Sequence, residues 1–442
     1  MAKTFDLVGA TLIDGTGAAA MRDACLRISE GRIAAVWQRS AGPARGLPAP
    51  EEVIDLRGKT VMPGLIDAHC HISYGEGRTA EEVDVYGGAE WAAVRAVWNA
   101  TKVLQSGVTS FCDPGSTWNV AVTCRDAIQS GMYPGPRVFA AGRHLVADGG
   151  FADYFPSWLG MPLSAEGVLC PTRDEMQREV RRQVKNRVDL IKISGDSQIQ
   201  ERDASAGACF TDDELACIVK LAHHFGRKVA IHSRYSKTVV SAARAGVDWL
   251  IHASYMTPGD IAEVRDLQVP ICPTITFTAN IVEHGRDVGV DPNYIDVKKR
   301  ELDALVDIHR RAIAAGITML AGSESGFSVT PYGEWHSREL ELMVELLGMK
   351  PLEAIRAATS SNAKAFGWDA DVGTIAPGRF ADLLVLDGDP SNDIKILGDR
   401  TRVHAIYKGG ELVDRPDSPP TRRRMSHERG FAVSSNPLHR GA

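Results

Sequence analysis

The sequence lacks several patterns that define particular classes of protein. Its eight cysteines are scattered singly, with no C-x-x-C pair, so we expect reduced thiols in a cytoplasmic protein rather than a disulfide framework. No apolar run approaches the roughly 18 residues needed to span a bilayer, and the N-terminus shows no secretory signal. The net charge of −6 gives no reason to expect nucleic acid or an anionic membrane as partner.

What is present is the composition of an ordinary globular protein. Hydrophobic residues make up 44% and charged residues 24% of the 442 residues. This length fits one barrel of about 250 residues or more with a smaller attached domain. We expect a small-molecule substrate and a homo-oligomer.

The two ends of the chain share a pattern of short strands. Residues 1–60 and 368–415 alternate apolar and polar residues between turn signals, as in Leu26-Arg-Ile-Ser-Glu-Gly-Arg-Ile33 and Ala381-Asp-Leu-Leu-Val-Leu386. We expect them to meet as one small β-sandwich. Residues 416–442 have little apolar content and are predicted to be flexible, or to dock Phe431 and Leu438 on a neighbouring subunit.

Residues 61–367 follow a different rhythm, in which short apolar runs alternate with helical patterns. The eight candidate strands are 64–69, 108–112, 137–141, 189–193, 228–232, 249–252, 270–274 and 317–321. Eight such alternations predict an α/β fold with a (β/α)8 TIM barrel. A Rossmann-type sheet is the alternative, but no G-x-G-x-x-G follows any of these runs.

The strongest local signal for chemistry is His69-Cys70-His71 at the end of the first barrel strand. Residues i and i+2 of a strand point to the same side, so the two imidazoles project together into the barrel mouth. They form a good pair of nitrogen ligands for a divalent metal. Two incidental histidines are the alternative.

Three further residues in apolar strands add to this signal. Lys192 lies within Leu190-Ile-Lys-Ile193, where a bare ammonium is costly to bury. As a neutral amine it could react with carbon dioxide, giving a carbamate able to bridge two metals; a lysine paired with a core carboxylate is the alternative. His232 and His252 each end an apolar run, where barrel enzymes place their chemistry, although each alone is typical of a core histidine.

Two longer stretches resemble the amidohydrolase superfamily: Val61-Met-Pro-Gly-Leu-Ile-Asp-Ala-His-Cys-His71 and Val372-Gly-Thr-Ile-Ala-Pro-Gly-Arg-Phe-Ala-Asp-Leu-Leu-Val-Leu386. Within it, the chain is similar to a group of imidazolonepropionase-like proteins, Xaa-amino-acid dipeptidases of the prolidase type, and ochratoxin, molinate and phenylurea hydrolases. The resemblance runs from about Leu7 to Val413 and implies a (β/α)8 barrel with a small β-sandwich built from both termini.

The resemblance also implies a binuclear metal centre. It assigns His69, His71 and Glu324 to the more buried metal, His232 and His252 to the second, and a carbamylated Lys192 as the bridge. The family pattern after the eighth strand is Gly-Thr/Ser-Asp-Ser/Thr-Gly, whereas this chain reads Gly322-Ser-Glu-Ser-Gly326. The extra methylene moves the carboxylate by roughly 1.5 Å. One or two divalent ions are expected, zinc first, with manganese, cobalt or iron as alternatives.

The predicted reaction is hydrolysis of a C–N bond in an amide, carbamate or urea by a metal-activated hydroxide. Glu324 is expected to move the proton, and His252 and His336 to assist catalysis. The substrate is expected to be apolar or aryl-substituted. A dipeptidase or N-acyl amino acid hydrolase is one alternative, which a buried arginine converging on the metals would favour. A non-catalytic barrel scaffold is another.

Candidate substrate contacts lie on the loops that follow the strands. They are Tyr154, Phe155, Trp158, His144, Tyr332 and His336. Asp113, which also ends a strand, is expected to cap the following loop.

Overall fold

The computed structural model describes residues 3–43 and 45–428, which form an α/β fold, and the predicted α/β class is confirmed. The strands are β1 Phe5–Leu12, β2 Met21–Ser29, β3 Arg32–Gln38, β4 Glu52–Asp55, β5 Thr60–Pro63, β6 Leu65–Asp67, β7 Val108–Asp113, β8 Arg137–Ala140, β9 His144–Val146, β10 Gly167–Leu169, β11 Leu190–Ser194, β12 Lys228–Tyr235, β13 Trp249–Tyr255, β14 Ile271–Cys272, β15 Leu383–Leu386, β16 Val403–Lys408 and β17 Glu411–Leu412.

The helices fill the intervals between the parallel strands. They are α1 Ala80–Asp84, α2 Ala89–Gln105, α3 Val120–Gln129, α4 Arg173–Lys185, α5 Asp212–His224, α6 Ser236–Ala245, α7 Pro258–Asp266, α8 Ile275–His284, α9 Pro292–Ala314, α10 Arg338–Glu345, α11 Pro351–Arg356 and α12 Asn362–Phe366. Helices α4, α5 and α7 each begin at a threonine capping box, which satisfies free backbone N–H groups and fixes where each loop ends. Among the described residues, no helix is both long and apolar enough to cross a membrane.

Strands from the two ends of the chain share one mixed sheet, which we call the terminal sheet. Its pairing order is β17-β16-β15-β5-β1-β2-β3, with β4 paired to β1. Strand β15 runs antiparallel to β5, and Leu7, Leu26 and Leu383 pack in the hydrophobic core of this sheet. The returning C-terminal segment therefore completes a sheet that the N-terminal segment begins.

The parallel strands join into a closed series, which we call the strand ring. It runs β6-β7-β8, crosses to β11 at the Ala141–Leu190 bridge, and continues β11-β12-β13-β14. A bridge from Ile271 to Met319 joins the eighth segment, and the Ala68 N–H donates to Ala321 O (2.8 Å) and so returns to β6. Because the ring members are parallel, their carboxyl ends meet at one end of the ring.

The last described residues pack against the chain's own helices. Glu428 is fully buried and accepts hydrogen bonds from Arg95 (3.2 Å) and Arg422 (2.6 Å), and Arg424 donates to Glu82 (3.0 Å). Arg95 also donates to Ser73 O (2.6 Å), two residues beyond His71. Residues 416–428 thus differ from the expected flexible tail, while Phe431 and Leu438 lie outside the described residues.

We predict that Glu428→Gln loosens this C-terminal contact. Hydrogen bonds from Arg422 and from the Met425 N–H hold the Glu428 pKa down to about 2, below its unfolded value, so these contacts stabilise the fold above about pH 4.5 and lose that contribution as pH falls toward 2. At pH 7, removing the buried charge should cost about 3 kcal/mol, seen as faster tryptic cleavage within 416–428. The exposed Glu411→Gln serves as control; equal cleavage of both variants would contradict the assignment.

Candidate active site

The two histidines that follow β6 lie side by side at the carboxyl end of the strand ring. Their Nε2 atoms are 2.9 Å apart, and both side chains are buried. His71 Nδ1 donates to Gly115 O (2.8 Å), and His69 Nδ1 lies 3.2 Å from Thr274 Oγ1. Burial lowers the pKa of His69 and takes that of His71 to about 3. The imidazoles are therefore neutral, and the Nδ1–H bond of His71 leaves its Nε2 lone pair available to a metal.

Glu324 faces these histidines from the eighth segment of the ring. Its N–H donates to His69 O (2.6 Å), and Thr330 Oγ1 donates to its carbonyl (2.8 Å). Ligand atoms of His69, His71 and Glu324 all lie within 4.8 Å of one another. The Oε2 atom is buried without a hydrogen-bond partner among the described residues, and burial raises the Glu324 pKa to about 7. This trio forms a candidate metal-binding group.

Lys192 lies on β11 at the floor of the site. It is 1% exposed, and burial lowers the pKa of its ammonium to about 8. A substantial fraction of neutral amine is therefore present near neutral pH.

His232 and His252 occupy adjacent strands at nearly the same level. Their ring centroids are 4.6 Å apart, and the His252 ring lies 5.7 Å from that of His69. His252 adopts a left-handed backbone conformation, with φ of 73°, and its Nε2 has no partner in the described part of the chain. Such backbone strain in a β-strand residue is typical of functional sites.

Sequence reasoning missed Arg234, which enters the site beside His232. It is buried; its Nη1 donates to His232 Nε2 (2.7 Å) and its Nε donates to Glu301 Oε1 (2.8 Å). His232 Nε2 also lies 3.4 Å from an Asp196 carboxylate oxygen. The signal was available, because Arg234 follows His232 by two residues on β12 and so points to the same side of the strand.

His336 does not lie where the sequence predicted. It is buried behind the metal-facing residues, where its Nδ1 donates to Asp67 Oδ2 (2.7 Å) and the Gly333 N–H donates to its Nε2 (3.1 Å). Asp67 in turn accepts from the N–H groups of His69 (2.9 Å) and Ser323 (3.0 Å). Both ring nitrogens of His336 are thus engaged, and the residue is not among those that line the cleft described below.

Tyr332 also has a different position from the expected one. Tyr332 is fully buried. Its hydroxyl donates to His71 O (2.5 Å) and accepts from the Gly75 N–H (3.0 Å), so the side chain fixes the loop after β6.

Asp113 accepts hydrogen bonds from the N–H groups of Gly115 (3.0 Å) and Ile72 (3.2 Å), which is a capping arrangement.

A cleft opens above these residues. His144 and Tyr154 line it, as predicted for substrate contacts, whereas Phe155 and the largely exposed Trp158 do not. The aromatic wall is instead built by residues that sequence reasoning missed. Phe151 stacks on His232 with ring centroids 3.9 Å apart, and Phe277 and Phe327 stand 5.0 Å apart across from it. Asp84 and Glu166 also reach the cleft.

A comparison with protein families identifies the class to which this fold and site belong. The sequence profile of the amidohydrolase family matches residues 60–413, and the chain belongs to that family. It is an enzyme, an amidohydrolase acting on amide-type C–N bonds, so the alternative of a non-catalytic scaffold is not supported.

Individual relatives support the same placement. The ochratoxinase of Aspergillus niger is 30% identical over 451 aligned positions, covering 95% of this chain and 88% of the relative. Its crystal structure superposes with a TM-score of 0.82 over 94% of this chain and 96% of that one, at 25% identity. A Xaa-Pro dipeptidase with methionine bound in its active site gives 0.80, at 27% identity over 92% and 99% of the two chains. Phenylurea hydrolase B gives 0.77, at 25% identity over 93% and 97%.

We predict that Asp67→Asn weakens metal binding by about ten- to a hundredfold, because outer partners orient the residues that hold the ion. The amide cannot accept from Ser323, His69 and His336 as the carboxylate does. The measurement is competitive titration with a chelator, with the exposed Asp307→Asn as control. An affinity within threefold of the parent would refute a supporting role.

Proposed function

We propose that this amidohydrolase cleaves the amide bond of an N-acyl amino acid or dipeptide that carries a free carboxylate. The observation that carries the proposal is Arg234, a buried cation on the strand of His232 that lines the cleft. A buried arginine beside the metal-facing residues favours this alternative over a neutral aryl amide, carbamate or urea. Arginine presents a planar pair of donors that matches a carboxylate.

The charge around Arg234 supports an anionic ligand. Glu301 bonds both Arg234 and Lys298 Nζ (2.7 Å), and all three side chains are buried. The formal charges of these three side chains sum to one positive charge, and Arg234 also feels the carboxylates of Glu324 and Asp196. A substrate carboxylate would give Arg234 a further partner in a site where a buried charge is costly.

The residues present fit one or two divalent cations, with zinc first. His69, His71 and Glu324 would hold one ion, and His252 and His232 a second, for which His232 Nε2 would exchange its hydrogen bond from Arg234 for the ion. The support is chemical: the imidazoles are neutral, and His252 Nε2 and Glu324 Oε2 are buried without partners among the described residues. A bound divalent cation lowers the pKa of water and polarises a carbonyl.

Lys192 is proposed to be carbamylated. Its buried amine adds to the carbon of carbon dioxide and releases a proton, which replaces a costly buried cation with an anionic oxygen ligand. The lowered pKa, about 8, supports this because the neutral amine is the reactive form.

Glu324 is proposed to carry the proton during hydrolysis. A carboxylate beside the attacking water can accept its proton and donate it to the leaving nitrogen. The reaction adds water across the amide bond and yields a carboxylate and an amine. Arg234 would hold the carboxylate of the leaving amino acid, and Phe151 and Phe327 would exclude water around an apolar acyl group.

We also infer that the strand ring is a (β/α)8 barrel and that the terminal sheet folds into a small β-sandwich. The hydrogen bonds that close the ring support the first inference. The branching of β1 to both β4 and β5 supports the second.

We predict that Glu324→Gln lowers kcat by about 10²- to 10⁴-fold, because an amide cannot accept the proton. Glu324→Asp keeps a carboxylate and should retain far more activity. Metal content is measured in both variants, since a loss of metal would give the same fall in rate. A glutamine variant that keeps its metal and the parent rate would exclude the proton-transfer role.

We predict that Arg234→Met discriminates between two matched substrates, N-benzoylphenylalanine and its C-terminal amide. Activity on the acid should fall by at least about thirtyfold, as expected when a buried charge partner is removed, while activity on the amide changes little. The exposed Arg244→Gln is the control. Equal losses on both substrates would show that Arg234 acts on His232 rather than on a carboxylate, and rapid hydrolysis of a phenylurea alone would favour the neutral-substrate alternative.

A further inference from the structure

Two carboxylates that the mechanism does not use lie in the wall of the cleft. Asp84 ends α1, and Glu166 immediately precedes β10; both line the cleft and are buried, at 0% and 6% exposed. The Glu166 N–H donates to Asp84 Oδ1 (2.9 Å). This bond holds the two acidic residues together on the wall where His144 also stands, since the His144 N–H donates to Glu166 O (2.7 Å).

The polar atoms at this point are incompletely satisfied. Asp84 Oδ2 is buried and has no hydrogen-bond partner among the described residues. Tyr74, a cleft-lining residue that is 1% exposed, directs its hydroxyl toward the Glu166 carboxylate, and its oxygen accepts no hydrogen bond among the described residues. A buried acceptor without a donor is costly, so Asp84 Oδ2 in the wall of the cleft indicates a ligand that supplies a donor.

The nearby cations are engaged elsewhere. Arg143 donates to Ala165 O (2.6 Å) and Pro162 O (3.1 Å), and Arg78 pairs with Glu82 (2.6 Å). Burial and mutual repulsion raise the pKa of Asp84 to about 8, and burial raises that of Glu166 as well. Within residues 3–43 and 45–428, no lysine or arginine forms an ion pair with Asp84 or Glu166, in contrast to Glu301, which has two.

We propose that Asp84 and Glu166, with the Tyr74 hydroxyl beside them, bind a primary ammonium group of the substrate, the free α-amine of a dipeptide. The three residues offer acceptors for the three N–H donors of an ammonium group. The proposal rests on the proposed function, in which Arg234 binds the carboxylate. Arg234 lies over the Phe151 ring, 5.1 Å from its centroid, and Phe151 packs against Tyr154, with ring centroids 5.6 Å apart; Tyr154 in turn faces Glu166. A substrate with an ammonium group and a carboxylate would complement both Arg234 and the acidic pair.

The test compares two substrates that differ in the ammonium group alone, Phe-Phe and 3-phenylpropionyl-phenylalanine. The metal-loaded parent enzyme should prefer Phe-Phe in kcat/KM by at least about tenfold. Asp84→Asn and Glu166→Gln should abolish that preference through loss on Phe-Phe, with the desamino substrate changed by less than threefold. Glu81→Gln, an exposed carboxylate on the same helix, is the control and should keep it.

The outcomes separate the two proposals. A parent enzyme that hydrolyses neither substrate contradicts the proposed function itself. Hydrolysis of both with equal kcat/KM, or a preference that the variants leave intact, overturns the ammonium subsite and leaves the proposed function standing. Retained activity on the desamino substrate shows that each variant is folded.

A second measurement needs no variant. Inhibition of desamino-substrate hydrolysis by 2-phenylethylamine is compared with that by 2-phenylethanol, which differs by the charged group. The amine should inhibit at a concentration at least about tenfold lower. Equal inhibition by the amine and the alcohol would overturn the subsite. It would also be overturned if low concentrations of potassium chloride and sodium chloride relieved inhibition by the amine equally, because that result would indicate a site for an inorganic cation.

Discussion

The site depends on the hydrogen bonds that join the first and last members of the strand ring. The Ala68 N–H donates to Ala321 O, the Glu324 N–H to His69 O, and the His71 N–H to Ser325 O (2.7 Å). These bonds set the carboxylate against two imidazoles from residues more than 250 positions earlier in the chain. Without this closure, His69-Cys70-His71 would be a pair of histidines at the end of a strand, with no anionic partner.

Burial then gives these side chains their chemical character. In water, Lys192 would be fully protonated near neutral pH and Glu324 fully ionised. In the site, burial brings the two pKa values to about 8 and about 7. The imidazoles are held neutral by the same cause. One physical effect, the removal of water, therefore prepares a basic amine, a proton carrier and a set of neutral nitrogen ligands.

The cleft is electrically asymmetric. Arg234 and Lys298 share a single carboxylate on one side, while Asp84 and Glu166 stand together on the other. Arg234 lies over the Phe151 ring, Phe151 packs against Tyr154, and Tyr154 faces Glu166. Under the proposed function, such a wall suits a substrate that is apolar in the middle and charged at its ends.

The amino-acid sequence by itself determined the α/β class, the positions of the ring strands, and the members of the candidate metal-binding group, because each signal is local: apolar runs, two-residue strand periodicity and distinctive short motifs. Tertiary structure alone decided which polar residues reach the cleft. His336 and Tyr332 follow the eighth ring segment yet turn inward to support Asp67 and the loop after β6. Trp158 projects into solvent, while Asp84 and Glu166 converge on the cleft from separate elements. Convergence of this kind depends on how the loops pack over the ring, which no spacing along the chain encodes.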